Sequence, residues 1–182
     1  SNDPDLQKLV AGINYMLGNY GATLDLERTL QIKQGDDRKL TALLEALDRG
    51  EVDNLLLCQV NPVYSLGSKD FLNQAAFTAY MGTAINETGE ACQVVCPDHH
   101  FLEAWGDAEP VSGSYSLQQP CIHPLFDTRA FQDSLLKWSG MERMFDELLK
   151  SWWLEILAPR EHRGSDDWWV NTLQAGTYAT PS

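Results

Sequence analysis

The chain has 182 residues, a length that fits one globular domain or one domain with a small appendage. Thirteen Lys and Arg against 26 Asp and Glu give a net charge of -13 and a pI near 4.5, so no basic face is available to neutralise phosphates, and nucleic acid and anionic membrane surfaces fall out as partners. With 43% hydrophobic residues and six Trp there is enough apolar surface to offset the entropy of ordering, while the longest apolar runs, such as 54–60, fall far short of the roughly 18 consecutive residues a membrane helix needs.

Asp3-Pro4 is a helix-start signal, and Leu6, Leu9, Val10, Ile13, Met16 and Leu17 recur at helical spacing, predicting a helix over 4–17 closed by Gly18. The alternation Thr-Leu-Asp-Leu at 23–26 predicts a short strand. Leu40, Leu43, Leu44 and Leu47 then predict a second helix ending at Gly50. The run at 53–60 reads as a strand buried on both faces, 61–68 as a loop, and Phe71, Ala75, Ala76 and Ala79 as one face of a third helix stopping at Gly82. A strand tip at 83–88 and a short buried strand at 91–97, stopped by Pro97, complete the alternation. From Trp105 to Pro124 turn formers dominate, which predicts irregular structure or a hairpin.

Two helical patterns close the chain: Phe131, Leu135 and Trp138 before Gly140, then Met141, Met144, Phe145, Leu148, Leu149, Trp152 and Ile156 before Pro159. On the second, Trp152 continues the apolar stripe and Trp153 lies at its margin, so Trp152 is expected inside and Trp153 outside. A linker follows, leading to Trp168 and Trp169, which dock on the body or belong to a following domain. The alternation of elements predicts an α/β, Rossmann-like parallel sheet flanked by helices over 1–140, with an irregular insertion around 98–124 and a helical extension at 141–182. Position 1 carries no Met, so the chain reads as mature or cut from a longer one, with Ser1-Asn2 consistent with a tag remnant.

Candidate chemistry is sparse. Cys92, Cys96, His99, His100, Cys121 and His123 are zinc-type ligands. A strand rising about 3.3 Å per residue would nevertheless hold Cys92 and Cys96 roughly 13 Å apart, too far to share an ion, so the cysteines, Cys58 included, read as structural thiols. Ser65 with His99 or His100 lacks the Gly-x-Ser-x-Gly frame of a nucleophile elbow, and neither Gly-x-Gly-x-x-Gly nor a Walker lysine loop is present. Glu103, Trp105 and Asp107 read as a small acid–base site or as caps and packing. Asn61 and Pro62 lie just past a strand's carboxyl end, where open α/β sheets present ligands, or simply terminate the strand.

Taken together, "VDNLLLCQVNPVYS", "INETGEACQVVCPDHHFLEAWGDAEPVSGSYSLQQPCIHPLF" and the helical segment after them resemble the molybdopterin oxidoreductase family, and within it the cofactor-less branch, the large iron–sulfur subunit of alternative complex III. Asn61-Pro62, Glu87-Thr88, Ala91, Pro97, His100, Leu102-Glu103, Gly106 and Gly113 fall at places matching the family's pattern, over roughly residues 5–140 with a weaker echo at 168–176. The chain departs from catalytic members at Gln59, where they carry Gly, at Cys92, where they carry Asp, and at Ser112-Gly113-Ser114, where they carry Glu-Gly-Arg.

The resemblance implies a non-catalytic scaffold domain of a respiratory, quinol-oxidising electron-transfer subunit, holding no metal and no pterin in this segment. It further implies a site on the periplasmic side of the bacterial inner membrane among other domains or subunits of a membrane-bound complex. The alternative is a domain contributing to a molybdopterin guanine dinucleotide pocket, with Asn61, Pro62, Glu87, Thr88 and His100 as the cofactor-facing positions. Under either reading Asn61 and Glu87-Thr88 should meet at the carboxyl edge of the sheet, and the segment from Trp152 to Tyr178 should hold the exposed face that docks neighbouring domains or subunits.

Overall fold

The computed structural model describes residues 3–180, so Ser1-Asn2 lies outside the described residues. The elements run α1 (Pro4–Met16), α2 (Asp37–Asp48), β1 (Asn54–Cys58), α3 (Pro62–Leu66), β2 (Phe77–Gly82), α4 (Glu87–Ala91), β3 (Val94–Pro97), β4 (Gly106–Val111), β5 (Ser114–Gln118), α5 (Phe131–Trp138), α6 (Phe145–Trp152), α7 (Asp166–Ala175) and β6 (Thr177–Ala179). Two three-stranded sheets result. One is parallel in the order β1-β2-β3, and the other is antiparallel in the order β4-β5-β6. The protein is mixed α/β.

In the parallel sheet Leu55 and Leu57 of β1 point to one face with Tyr80 of β2, where Leu47 of α2, Leu72, Ala75, Val63 of α3 and Cys92 complete a core. The opposite face is covered only along the central strand. Ala79 and Met81 are buried there, whereas Leu56 and Val94 on the flanking strands stay 41% and 39% exposed. The expectation of a first strand buried on both faces is therefore corrected: β1 is an edge strand burying alternate residues.

The largest correction concerns 71–82. Its alanine spacing predicts a helix, yet a 3₁₀ turn over Asp70–Gln74 leads into β2, the central strand of the sheet. A short apolar run buried on both sides carries no period that separates strand from helix, and neighbours on both edges decide for the strand. The strand expected at 23–26 reduces to one isolated bridge from Tyr20 to Leu24. The loop expected at 61–68 contains helix α3, with Pro62 in its first turn, and the strand tip expected at 83–88 is a loop entering α4.

Of the two structures expected for 105–124, the hairpin forms, and irregular structure within 98–124 is confined to its flanks. These residues carry the β4–β5 hairpin, whose turn places Gly113 at φ 76, and β6 pairs with β5 from the far end of the chain through Tyr115 and Tyr178. This sheet carries a second core, in which Leu149, Trp153, Leu154, Leu157 and Trp169 pack with Trp105, Tyr115, Leu117 and Tyr178. Tyr115 meets Trp153 edge-on with ring centroids 6.1 Å apart, Trp153 meets Trp169 at 6.4 Å, and Trp168 meets Tyr178 at 5.3 Å.

The Trp assignment is inverted relative to the expectation: Trp153 is 0% exposed and Trp152 is 40% exposed. The cause lies at both ends of the helix. α6 begins at Phe145 rather than Met141, because the Asp133 carboxylate of α5 accepts from the Phe145 N–H at 2.7 Å, and the buried stripe therefore runs Phe145, Leu149, Trp153. Beyond Trp152 the helix widens into a π turn over Trp153–Leu157, closed by Ala158 N–H on the Trp153 carbonyl at 2.8 Å, which brings Leu154 and Leu157 onto the buried side. Within the expected docking segment, 152–178, Trp153, Leu154, Leu157 and Trp169 form an internal core, while Trp152, Ile156 and Val170 stay exposed. Exposed apolar side chains also gather on α1, at Leu6, Leu9, Val10 and Ile13.

Truncation of Trp153 to Ala should lower unfolding free energy by about 3–5 kcal/mol, whereas Trp152→Ala should cost roughly a third of that or less, given that much of its ring is in solvent. Urea denaturation of the two variants, followed by far-ultraviolet circular dichroism, measures the contrast; equal losses would place both indoles in the core.

Candidate functional site

The carboxyl ends of β1, β2 and β3 open toward the β4–β5 hairpin, and two polar clusters order this edge. In the first, the Thr88 hydroxyl donates to Asn61 Oδ1 at 2.8 Å and accepts from the Val63 N–H at 3.1 Å, while Asn61 Nδ2 donates to Glu87 Oε2 at 2.6 Å. Asn61 caps α3 by accepting from Tyr64 N–H, Pro62 occupies the next position, and Asn86 caps α4 through Gly89 N–H. Asn61, Pro62, Glu87 and Thr88 thus come together as the sequence implies, at one edge of the sheet. Their polar atoms are engaged with one another. Thr88 is 0% exposed, and the Asn61 amide holds the exposed Glu87 carboxyl below the usual carboxylate range.

His100, the fifth expected position, stands in the other cluster. It begins a 3₁₀ turn over Phe101–Glu103, where its Nδ1 accepts from Leu102 N–H at 3.4 Å and Glu103 accepts from the His100 N–H at 3.0 Å, a reciprocal capping box. Glu103 also accepts from Leu125 N–H at 3.0 Å, and these backbone donors hold its carboxyl below its ordinary range. Of the expected acid–base group, Glu103 is therefore a cap. Asp107 instead accepts from the buried Trp153 indole at 2.9 Å.

Sequence reasoning missed Asp98. This 5%-exposed carboxylate follows β3 and accepts from Gln59 Nε2 at 2.7 Å, from His99 N–H at 2.9 Å and from Phe131 N–H, the first turn of α5, at 2.9 Å. Gln59 itself is the one non-glycine residue with positive φ among the described residues, at 52°. That backbone position suits glycine, and here a side chain spans from the end of β1 to the end of β3 across the sheet's mouth. The signal that could have found Asp98 is the missing N-cap: Ala130 supplies no side-chain cap to α5, so a residue distant in sequence had to.

Above Gln59 and Asp98 lies a cleft of about 460 Å³, lined by His99, His100, Trp105, Asp107, Gln118 and Phe131 among others. No Lys or Arg lines it. Among the described residues no three His, Cys, Asp or Glu side chains stand close enough to hold one metal ion, and Ser65 donates to the Asn61 carbonyl at 3.2 Å within its own helix. The cysteines are unpaired, with Cys121 exposed. Burial pushes the Cys58 and Cys92 thiols up, and for Cys58 the nearby Asp98 adds to it.

The chain is 31% identical over 143 residues to the molybdopterin-binding-like subunit of menaquinone reductase from Nitratidesulfovibrio vulgaris, a match covering 66% of this chain and 21% of that subunit. The similarity supports a molybdopterin-oxidoreductase-like relationship. The matched portion spans about a fifth of the relative's length. No family model matches the chain.

Replacing Thr88 with Val should leave the Val63 N–H without its acceptor and cost about 1–3 kcal/mol, with Glu87→Gln far milder because that carboxyl is in solvent. Because the folded state lowers the Glu87 and Glu103 carboxyls, their contribution to stability is complete above the ordinary carboxylate range and is lost as pH falls through it. Denaturant midpoints of the parent and Glu87→Gln should therefore converge as pH falls from the ordinary carboxylate range through the lowered folded value. In a timed alkylation read by mass spectrometry, Cys121 should be modified first, with Cys58 and Cys92 at least about tenfold slower.

Proposed function

We propose that this chain is a non-catalytic scaffold domain of a respiratory, quinone-linked electron-transfer subunit of molybdopterin oxidoreductase-like ancestry. The observation that carries the reading is the Gln59–Asp98 bridge. A dinucleotide cofactor at the carboxyl edge of a parallel sheet needs close backbone approach at the turn after the first strand, and a glycine is what permits it. Here a glutamine holds that left-handed position and its amide is bonded across the mouth of the sheet at 2.7 Å. Asn61, Glu87 and Thr88 satisfy one another, and Ser112-Gly113-Ser114 forms a hairpin turn in which Ser112 and Ser114 bond Gln31 and Arg28. No cation faces the cleft to meet a pyrophosphate. The residues present do not fit molybdopterin guanine dinucleotide, which argues against the reading of this chain as part of such a pocket.

Under this reading the parallel sheet is a reduced Rossmann-like unit whose loops have been kept for shape, as caps and turns. The name of the relative supports placement in a menaquinone-linked complex. Kinship with alternative complex III, iron–sulfur domains elsewhere in the full-length protein and a periplasmic location complete the proposal, as the sequence resemblance implies. No helix among the described residues is long and apolar enough to cross a membrane.

Elemental analysis together with mass spectrometry of small molecules released on denaturation tests this directly. We expect neither stoichiometric molybdenum nor a pterin from the purified protein, and no binding of guanosine diphosphate in calorimetric titration. A pterin released in one-to-one ratio would overturn the scaffold reading.

A further inference from the structure

We propose that the cleft between the two sheets is a receptor for a cationic side chain, an arginine presented by a partner subunit. The proposal rests on the scaffold reading only for the partner's being a subunit; the chemistry of the cleft stands apart from it.

Three fixed groups define that chemistry. One Asp107 carboxylate oxygen takes the Trp153 indole N–H at 2.9 Å, and the other has no protein donor among the described residues. The anchoring indole is fully buried and fixes one oxygen of the carboxylate, while Asp107 itself stays exposed at the rim that the cleft shares with a shallow apolar pocket of Phe145, Leu148, Leu149 and Trp152. Gln118 uses its amide nitrogen on the Phe101 carbonyl at 2.9 Å and the Ala104 carbonyl at 3.0 Å, which sets its orientation and leaves Oε1 as an acceptor. Trp105, Phe101 and Phe131 supply aromatic surface to the same cleft.

A guanidinium matches this set better than other ligands of the same size. It is planar, stacks on aromatic faces and offers five N–H donors to separated acceptors, whereas an ammonium is a point charge and a pyrophosphate would meet Asp107 with no cation to offset it. Both imidazoles of the wall are tied down, His99 by its Nδ1 to the Thr128 hydroxyl at 2.6 Å and His100 by its Nδ1 to Leu102 N–H, so they frame the cleft rather than fill it. The net charge of -13 adds a long-range pull on a basic partner and none on an acidic one.

The test is a titration of the whole chain with N-acetylarginine amide at pH 8, followed through the Trp105 indole and Gln118 amide signals in nuclear magnetic resonance, with Trp105→Phe identifying the indole. We expect a saturable shift, at least about tenfold tighter than with the uncharged citrulline analogue. Asp107→Asn retains an oxygen for the Trp153 indole while removing the charge, and should bring arginine affinity down to the citrulline level. No saturable shift, equal affinity for the two amides, tighter binding of inorganic pyrophosphate, or an unchanged folded Asp107→Asn variant would each overturn the assignment. Should that variant not fold, the comparison of the two amides on the parent protein decides alone. A pterin released in the preceding analysis would sink the scaffold reading without touching this result, and the reverse holds as well.

Discussion

The architecture hangs on a buried carboxylate with three donors. Asp98 ends the parallel sheet, starts α5 by capping Phe131, and holds Gln59 across from the first strand. Burying such a group without partners would cost several kcal/mol, so each of its donors is placed by necessity. Because the donors come from the residue after β1, from the loop after β3 and from α5, one side chain ties together a segment 39 residues before it and another 33 residues after it. The site edge inherits its shape from that tie: the left-handed turn at Gln59 is held in place by the bond that its own side chain makes.

A second polar anchor organises the other half. Trp153 brings the largest apolar surface of the C-terminal core, and its single N–H must find an acceptor once buried. Asp107 on β4 supplies it, which fixes α6 and its π turn against the hairpin. Tyr115 and Trp169 then pack edge-on around the same indole, and β6 closes the sheet. The cleft lies between these two anchors, bordered by Asp98 on the parallel-sheet side and Asp107 on the hairpin side. Its acidic, aromatic character follows from what each core needs to satisfy its own buried groups.

The polar residues that match a cofactor-binding pattern have been turned inward on one another. Asn61 and Thr88 cap and join two short helices, and Glu87 is spent on Asn61. Such a cluster keeps loops ordered at a sheet edge, because the desolvated Thr88 hydroxyl and the Val63 N–H need each other.

Local signals were legible in the sequence wherever the deciding interactions lie within a few residues. Helices α1, α2 and α5 start and stop where apolar spacing and Gly punctuation put them, and Asn61 with Glu87-Thr88 meet because each follows a strand of one parallel sheet. Three features escaped it. The central strand at 77–82 reads as helix until its two neighbours are in place, since an apolar run buried on both sides has no period of its own. The choice of Trp153 over Trp152 depends on where α6 begins, and that is set by Asp133, twelve residues upstream. Asp98 caps a helix 33 residues away, and the Asp107 carboxylate finds its indole 46 residues away. Composition and spacing determined the acidic α/β character and the short-range caps of this protein. Tertiary structure alone decided which carboxylates are buried and whom they hold, because a buried polar group takes its partner from whatever the fold brings within about 3 Å, wherever that partner lies in the chain.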